Sequence, residues 1–107
     1  MNEMTLTLQI PVDHPSFAGH FPGQPIVPGA MLLDEIMQVA TRQMPGWDHA
    51  LKPGIIIPVC KFLRPVSPGA TLELTLSPGL QPGLLNFKLQ QAGQGVASGS
   101  LSLPGTT

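Results

Sequence analysis

Apolar and polar residues alternate over Met4–Ile10, MTLTLQI. Met4, Leu6, Leu8 and Ile10 fall on one side and Thr5, Thr7 and Gln9 on the other, the period of a half-buried strand. Over residues 30–43, AMLLDEIMQVATRQ, the spacing becomes helical: Leu33, Ile36, Met37, Ala40 and then Met44 recur on one face. Met31, Leu32 and Val39 widen that stripe until most of the circumference is apolar, which predicts a largely buried helix. Pro45-Gly46 ends it. Residues 55–59, IIIPV, form a β-branched run that 60–66, CKFLRPV, continues, with Pro58 and Pro65 marking kinks or edge positions. Residues 71–77 (TLELTLS), 84–91 (LLNFKLQQ) and 96–103 (VASGSLSL) predict a three-stranded antiparallel meander. Turns at Ser67-Pro68-Gly69 and over residues 78–83 bound its first strand. Between the first strand and the helix, residues 11–29 are punctuated by Pro11, Pro15, Gly19, Pro22, Gly23, Pro25, Pro28 and Gly29 and read as a loop. A loop of that length is uncommon and often functional. The closing PGTT reads as a frayed tail.

One central helix against one curved antiparallel sheet is an economical α+β solution for this order of elements, and 107 residues predict a single domain over 1–107. Composition adds a second expectation. Charged residues make up only 10% of the chain, well below the usual quarter, so part of the surface is expected to be covered in an oligomer, with sheet edges as the obvious place. The 12 glycines and 13 prolines fit tight turns rather than disorder, given 42% hydrophobic residues and clear periodicity. A formal net charge of −1 argues against general nucleic-acid binding. No apolar run is long enough to span a membrane, and the first residues lack the pattern of a signal peptide. A lone Cys60 allows no intrachain disulfide and fits a cytosolic setting.

Candidate chemistry gathers around the loop and the helix start. Pro28 and Gly29 offer no capping side chain, which leaves first-turn amides for an oxyanion or a polarised carbonyl, or simply for water. Asp34 lies about one turn into an apolar helix, with Gln38 four residues on along the same face. Burial raises a carboxyl pKa and favours a proton donor; the alternative is an acid that faces solvent near the positive helix end. Asp34 and Glu35 point about 100° apart, so one can face inward and the other outward. His20, in a loop stiffened by Pro22, Pro25 and Pro28, can exchange a proton near neutral pH and is held as a general base requires. His20, the Gly29 amide and Asp34 together suit removal of a proton beside a carbonyl and protonation of a leaving hydroxyl. His14, His20, His49, Asp34 and Cys60 are the available metal ligands, but none shows a recognised ligand spacing, so no metal is expected. Cys60 reads as a small apolar residue rather than a nucleophile.

Residues 20–29, HFPGQPIVPG, resemble the H-F-P-G-x-P-x-x-P-G signature of the 3-hydroxyacyl-[acyl carrier protein] dehydratases. The resemblance continues through residues 30–38, AMLLDEIMQ, and again over residues 61–69, KFLRPVSPG, so it covers most of the chain in order. It implies the hotdog fold and the dehydration of 3-hydroxyacyl thioesters to trans-2-enoyl thioesters in fatty-acid or polyene-type biosynthesis. By the same resemblance His20 is the catalytic histidine and Asp34 the catalytic carboxylate. Gly29 is the glycine whose amide binds the thioester carbonyl, and Gln38, Phe21 and Pro28 are supporting residues. It implies no cofactor beyond the carrier's phosphopantetheine arm, and a site whose histidine and carboxylate come from two subunits of a homodimer or heterodimer. Short relatives of this appearance include dehydratases of aryl polyene clusters. Acyl carrier proteins are usually acidic, and Lys61, Arg64 and Arg42 are the candidate docking residues; the alternative is that they solvate strand and helix ends. A hotdog thioesterase and a non-catalytic partner subunit of a heterodimeric dehydratase are the competing functions.

Overall fold

A computed structural model describes residues 3–11, 27–44, 47, 54–81 and 83–103. Strand β1 (Met4–Gln9) is followed by helix α1 (Gly29–Gln43) and then by β2 (Ile56–Phe62), β3 (Thr71–Pro78), β4 (Leu84–Gln91) and β5 (Gln94–Ser102). The strands form one antiparallel sheet in the order β1-β3-β4-β5-β2. The meander β3-β4-β5 is therefore as expected, and the two strands that flank the helix in sequence occupy opposite edges. Most of the expected loop (residues 12–26), the Pro45-Gly46 break and the tail from 104 lie outside the described residues.

The register explains the core. One row across the sheet runs Leu6, Leu74, Leu89, Ala97, Phe62, and the next runs Met4, Leu76, Phe87, Gly99, Cys60. These rows, apart from Gly99 and the exposed Phe62, join the helix residues Met31, Leu32, Ile36, Val39 and Ala40 in a single apolar cluster. Both rows narrow at β5, where Ala97 and Gly99 stand beside β2. At Gly99 the reason is direct: an added Cβ would overlap the Val59 carbonyl oxygen, and it would lie 2.8 Å from Phe87 Cζ and 2.9 Å from Cys60 Cα. The glycine lets β2 close onto β5 while the Phe87 ring passes beneath.

Two expectations are corrected. The final strand begins at Gln94, not 96, because β4 and β5 meet in the two-residue turn Ala92-Gly93, both at positive φ. A register shift at Leu89/Gln90 breaks the alternation, so Val96 and Ala97 are both buried. The helix stripe is also rotated: Leu33 and Met37 are only half-buried, whereas Met31, Leu32 and Val39 are buried with Ile36 and Ala40. Pro58 sits on an edge strand as expected, beside a register shift between Ile56 and Val59. β2 ends at Phe62, before Pro65. Among the described residues, no helix is long and apolar enough to cross a membrane.

Candidate active site

The start of α1 is held against the segment that follows β2. The Val27 N–H donates to the Val66 carbonyl at 2.7 Å, and Pro28, extended at φ −61 and ψ 143, is the N-cap residue without a side-chain cap. The Met31 and Leu32 amides donate to the Pro28 carbonyl at 3.0 and 3.2 Å. That leaves the Gly29 and Ala30 amides as the first-turn donors with no acceptor among the described residues. A cleft of about 370 Å³ opens here, lined by Gly29, Leu32, Phe62, Leu63, Arg64 and Val66 among others. A polarising amide at the end of an apolar cleft is the arrangement that strengthens a hydrogen bond to a carbonyl oxygen.

Asp34 lies elsewhere on the same helix. It is five residues beyond Gly29, about 140° around the axis and about 7 Å along it, and it does not line that cleft. It stands about 200° from Ile36, the centre of the buried stripe, so it is turned away from the sheet. Asp34 and Glu35 are both half-buried. Gln38, one turn on, donates through Nε2 to Asp34 Oδ2 at 2.8 Å. The first turn contains no acid, so Asp34 is not simply a charge at the helix end, where the dipole is felt most.

The basic candidates separate. Arg64 is exposed at the rim of the cleft, and Lys61 is exposed nearby on β2 without lining it. Arg42 sits at the other end of α1, about 20 Å from Gly29 at 1.5 Å per residue, with its Nε donating to the Gln38 carbonyl at 3.3 Å. His20, Phe21, His14 and His49 lie outside the described residues. Among the described residues, no three His, Cys, Asp or Glu side chains cluster as a metal site. Cys60 is half-buried, and burial pushes its thiol pKa up, which suits an unreactive thiol. Phe62 and Leu32 were not singled out as site residues from sequence. The signal available was the glycine at the helix start, whose missing side chain asks what fills its place.

A family model described as ApeI-like, ApeI dehydratase, matches residues 1–100. The chain belongs to the ApeI-like dehydratase family. This ApeI-like chain is similar to the 3-hydroxyacyl-[acyl-carrier-protein] dehydratases FabZ of Haemophilus influenzae, 40% identical over 63% of the chain and 48% of the relative, and of Mannheimia succiniciproducens, 41% identical over 61% and 46%. It thus spans about half the length of the curated relatives it matches. Among solved structures it resembles a chain of the dehydratase heterocomplex ApeI:P from Xenorhabdus doucetiae. That match has a TM-score of 0.72 and 30% identity, covering 95% of this chain and 87% of that one. It also resembles an uncharacterized protein from Erwinia carotovora subsp. atroseptica, with a TM-score of 0.70 and 32% identity over 94% and 82%. These likenesses, with the antiparallel sheet and the helix α1 of the described residues, establish the hotdog fold. The fluoroacetyl-CoA thioesterase FlK, at 15% identity and a TM-score of 0.60, shares that fold alone.

Proposed function

We propose that this ApeI-like chain dehydrates 3-hydroxyacyl thioesters carried on acyl carrier protein to trans-2-enoyl thioesters, as one hotdog domain working beside a second hotdog subunit. The observation that carries this reading is the family match over residues 1–100, which spans every residue the chemistry needs. The Gly29 amide donates to the thioester carbonyl oxygen and stabilises the enolate that forms when His20 removes a C2 proton. Asp34, in its protonated form, gives its proton to the 3-hydroxyl, which leaves as water while the C2–C3 double bond forms. Gln38 holds Asp34 through Oδ2. Phe21 and Pro28 support the loop and the helix entry. The steps are proton transfers, and they proceed without a metal or redox cofactor.

The second subunit is supported by two features of this chain. Gly29 and Asp34 lie on different sides of α1, so one thioester at the Gly29 cleft takes its acid more readily from another chain. Edge strand β2 exposes Ile56, Val59 and Phe62, with Leu63 just beyond it, an apolar strip suited to pairing. The partner is a second copy or a different hotdog chain; the heterocomplex named for the Xenorhabdus relative favours the second. The same relative favours one alternative role, a non-catalytic subunit that completes a partner's site. Arg64 and Lys61, beside the cleft, are the proposed contacts for an acidic carrier protein, and Arg42 is too distant to join them. A cytosolic setting accords with the lone Cys60. A pathway making aryl polyenes is the one that the chain's resemblance to short dehydratases suggests.

The test is hydration of a crotonyl thioester by the purified chain, alone and with a candidate hotdog partner. His20→Ala and Asp34→Ala should each lower the rate by at least about 10²-fold. Near-full activity in both variants would refute the assignment. Unchanged activity in both when a competent partner is added would assign the chain the non-catalytic role.

A further inference from the structure

Gly29 is not required by its backbone. It is the first residue of α1 and is not among the glycines at positive φ, so its backbone conformation is open to any residue with a side chain. Its reason is steric. A Cβ at position 29 would lie 2.8 Å from Phe62 Cζ, 3.0 Å from Cε2 and 3.3 Å from Cε1. The Phe62 ring therefore occupies the space that a side chain at residue 29 would need. Phe62 reaches the helix because its row neighbour on β5 is the small Ala97, and because the Val27–Val66 hydrogen bond holds the helix start to the segment just after β2. Phe62 as a whole is still 49% exposed; its ring tip packs on Gly29, and the residue also lines the cleft with Leu32 and Leu63.

We infer that Phe62 is a positioning and specificity residue for the acyl thioester at the Gly29 amide, selecting chains unbranched next to the carbonyl. The inference rests on the dehydratase reading and adds a substrate class to it. A carbonyl oxygen that accepts from the Gly29 N–H brings its own C2 alongside the ring. A flat aromatic wall at that point accepts a planar thioester–enolate and the planar enoyl product by face contact. It also excludes water from the flank of the amide, which strengthens the hydrogen bond. A methyl branch at C2 would meet the wall.

The experiment compares 3-hydroxybutyryl with 2-methyl-3-hydroxybutyryl thioesters in the wild-type chain with its partner, in Phe62→Ala and in Phe62→Leu. The expected result is a wild-type preference for the unbranched substrate in kcat/KM, reduced by about tenfold or more in Phe62→Ala and by less in Phe62→Leu. Phe62→Leu keeps the strand apolar and guards against a folding failure. Gly29→Ala, which retains the amide, should lose activity and thermal stability, and Phe62→Ala in that background should restore part of both. Strict additivity of the two substitutions, or an unchanged substrate ratio in a folded Phe62→Ala protein, would overturn the inference while leaving the dehydratase reading intact. A wild type that forms no enoyl thioester at all would remove both.

Discussion

Gln38 donates its side-chain amide to Asp34 Oδ2 across 2.8 Å, one turn along the same helix. The bond fixes the Oδ2 oxygen of the carboxyl. The Gln38 carbonyl is itself an acceptor for Thr41 Oγ1 at 2.9 Å. If Asp34 is the proton donor, Gln38 acts through it. Gln38→Ala is expected to lower kcat by about tenfold, the worth of one hydrogen bond, with little change in KM. Steady-state kinetics beside Asp34→Ala, which should lose far more, checks the order of effects.

The placement of Gly29 and Asp34 on different faces of α1 predicts complementation. For a dimer of identical chains, co-refolding His20→Ala with Asp34→Ala should recover roughly a quarter of wild-type activity. Half of the random dimers are mixed, and each then holds one intact site. Recovery near zero in a mixture shown by native mass spectrometry to contain mixed dimers would place both groups of a site on one chain.

Charge on the β2 edge should prevent assembly. Val59 is 49% exposed and Ile56 is 56% exposed, and lysine is a residue that natural edge strands use against pairing. Val59→Lys is expected to give a folded monomer by circular dichroism and native mass spectrometry, with turnover lost together with the oligomer.

Gly99→Ala should destabilise the fold itself. The added methyl meets the backbone oxygen of Val59, which cannot rotate away as a side chain could. A cost of about 3 kcal/mol would lower the unfolding midpoint by on the order of 10 °C. Thermal melts of the variant against wild type read this directly.

Cys60 gives a pH dependence. Burial raises its pKa above the ordinary thiol value, so on alkaline titration the unfolded chain releases this proton before the folded one does. Stability from this group is complete below the ordinary thiol pKa and declines as pH rises through the folded value. Chemical unfolding at a series of alkaline pH values should show a shallower decline for Cys60→Ala than for wild type. Alkylation by iodoacetamide at neutral pH should be slower than for a free cysteine.

Period and punctuation were enough to find the helix and the five strands of the described residues, because each has an apolar face and a proline or glycine boundary. The edge position of β2 was readable from Pro58. Three features were not. The offset of β5 depends on a turn built from Ala92-Gly93 and on a bulge, neither of which alternation reveals. The orientation of Asp34 follows from which face of an almost wholly apolar helix meets the sheet, and such a helix carries little contrast to decide it. Phe62 looked like one member of an apolar edge strand until the register put small Ala97 beside it and the helix start within reach. Lys61, Arg64 and Arg42 formed a plausible basic group only while distance along the helix was ignored. His20 lies outside the described residues, and its role rests on the signature around it.

The two edges of the sheet are unlike. Along β1, the outward Thr5 bonds to Thr75 Oγ1 on the neighbouring strand, while Gln9 reaches the Gly69 carbonyl and accepts from Thr71. The strand is short, and exposed Glu3 and Pro11 flank it. Its polar side chains are engaged inward, and its ends are poor templates for another strand. The β2 edge carries Pro58, Lys61 and a register shift of its own, yet it also exposes Ile56, Val59 and Phe62 and so is the more apolar of the two. Joining two chains through β2 consumes the adhesive edge of each and turns only β1 edges outward. In the proposed dimer, growth would stop at a closed pair instead of running on into a fibre, so that few charges would be needed to keep the pairs apart.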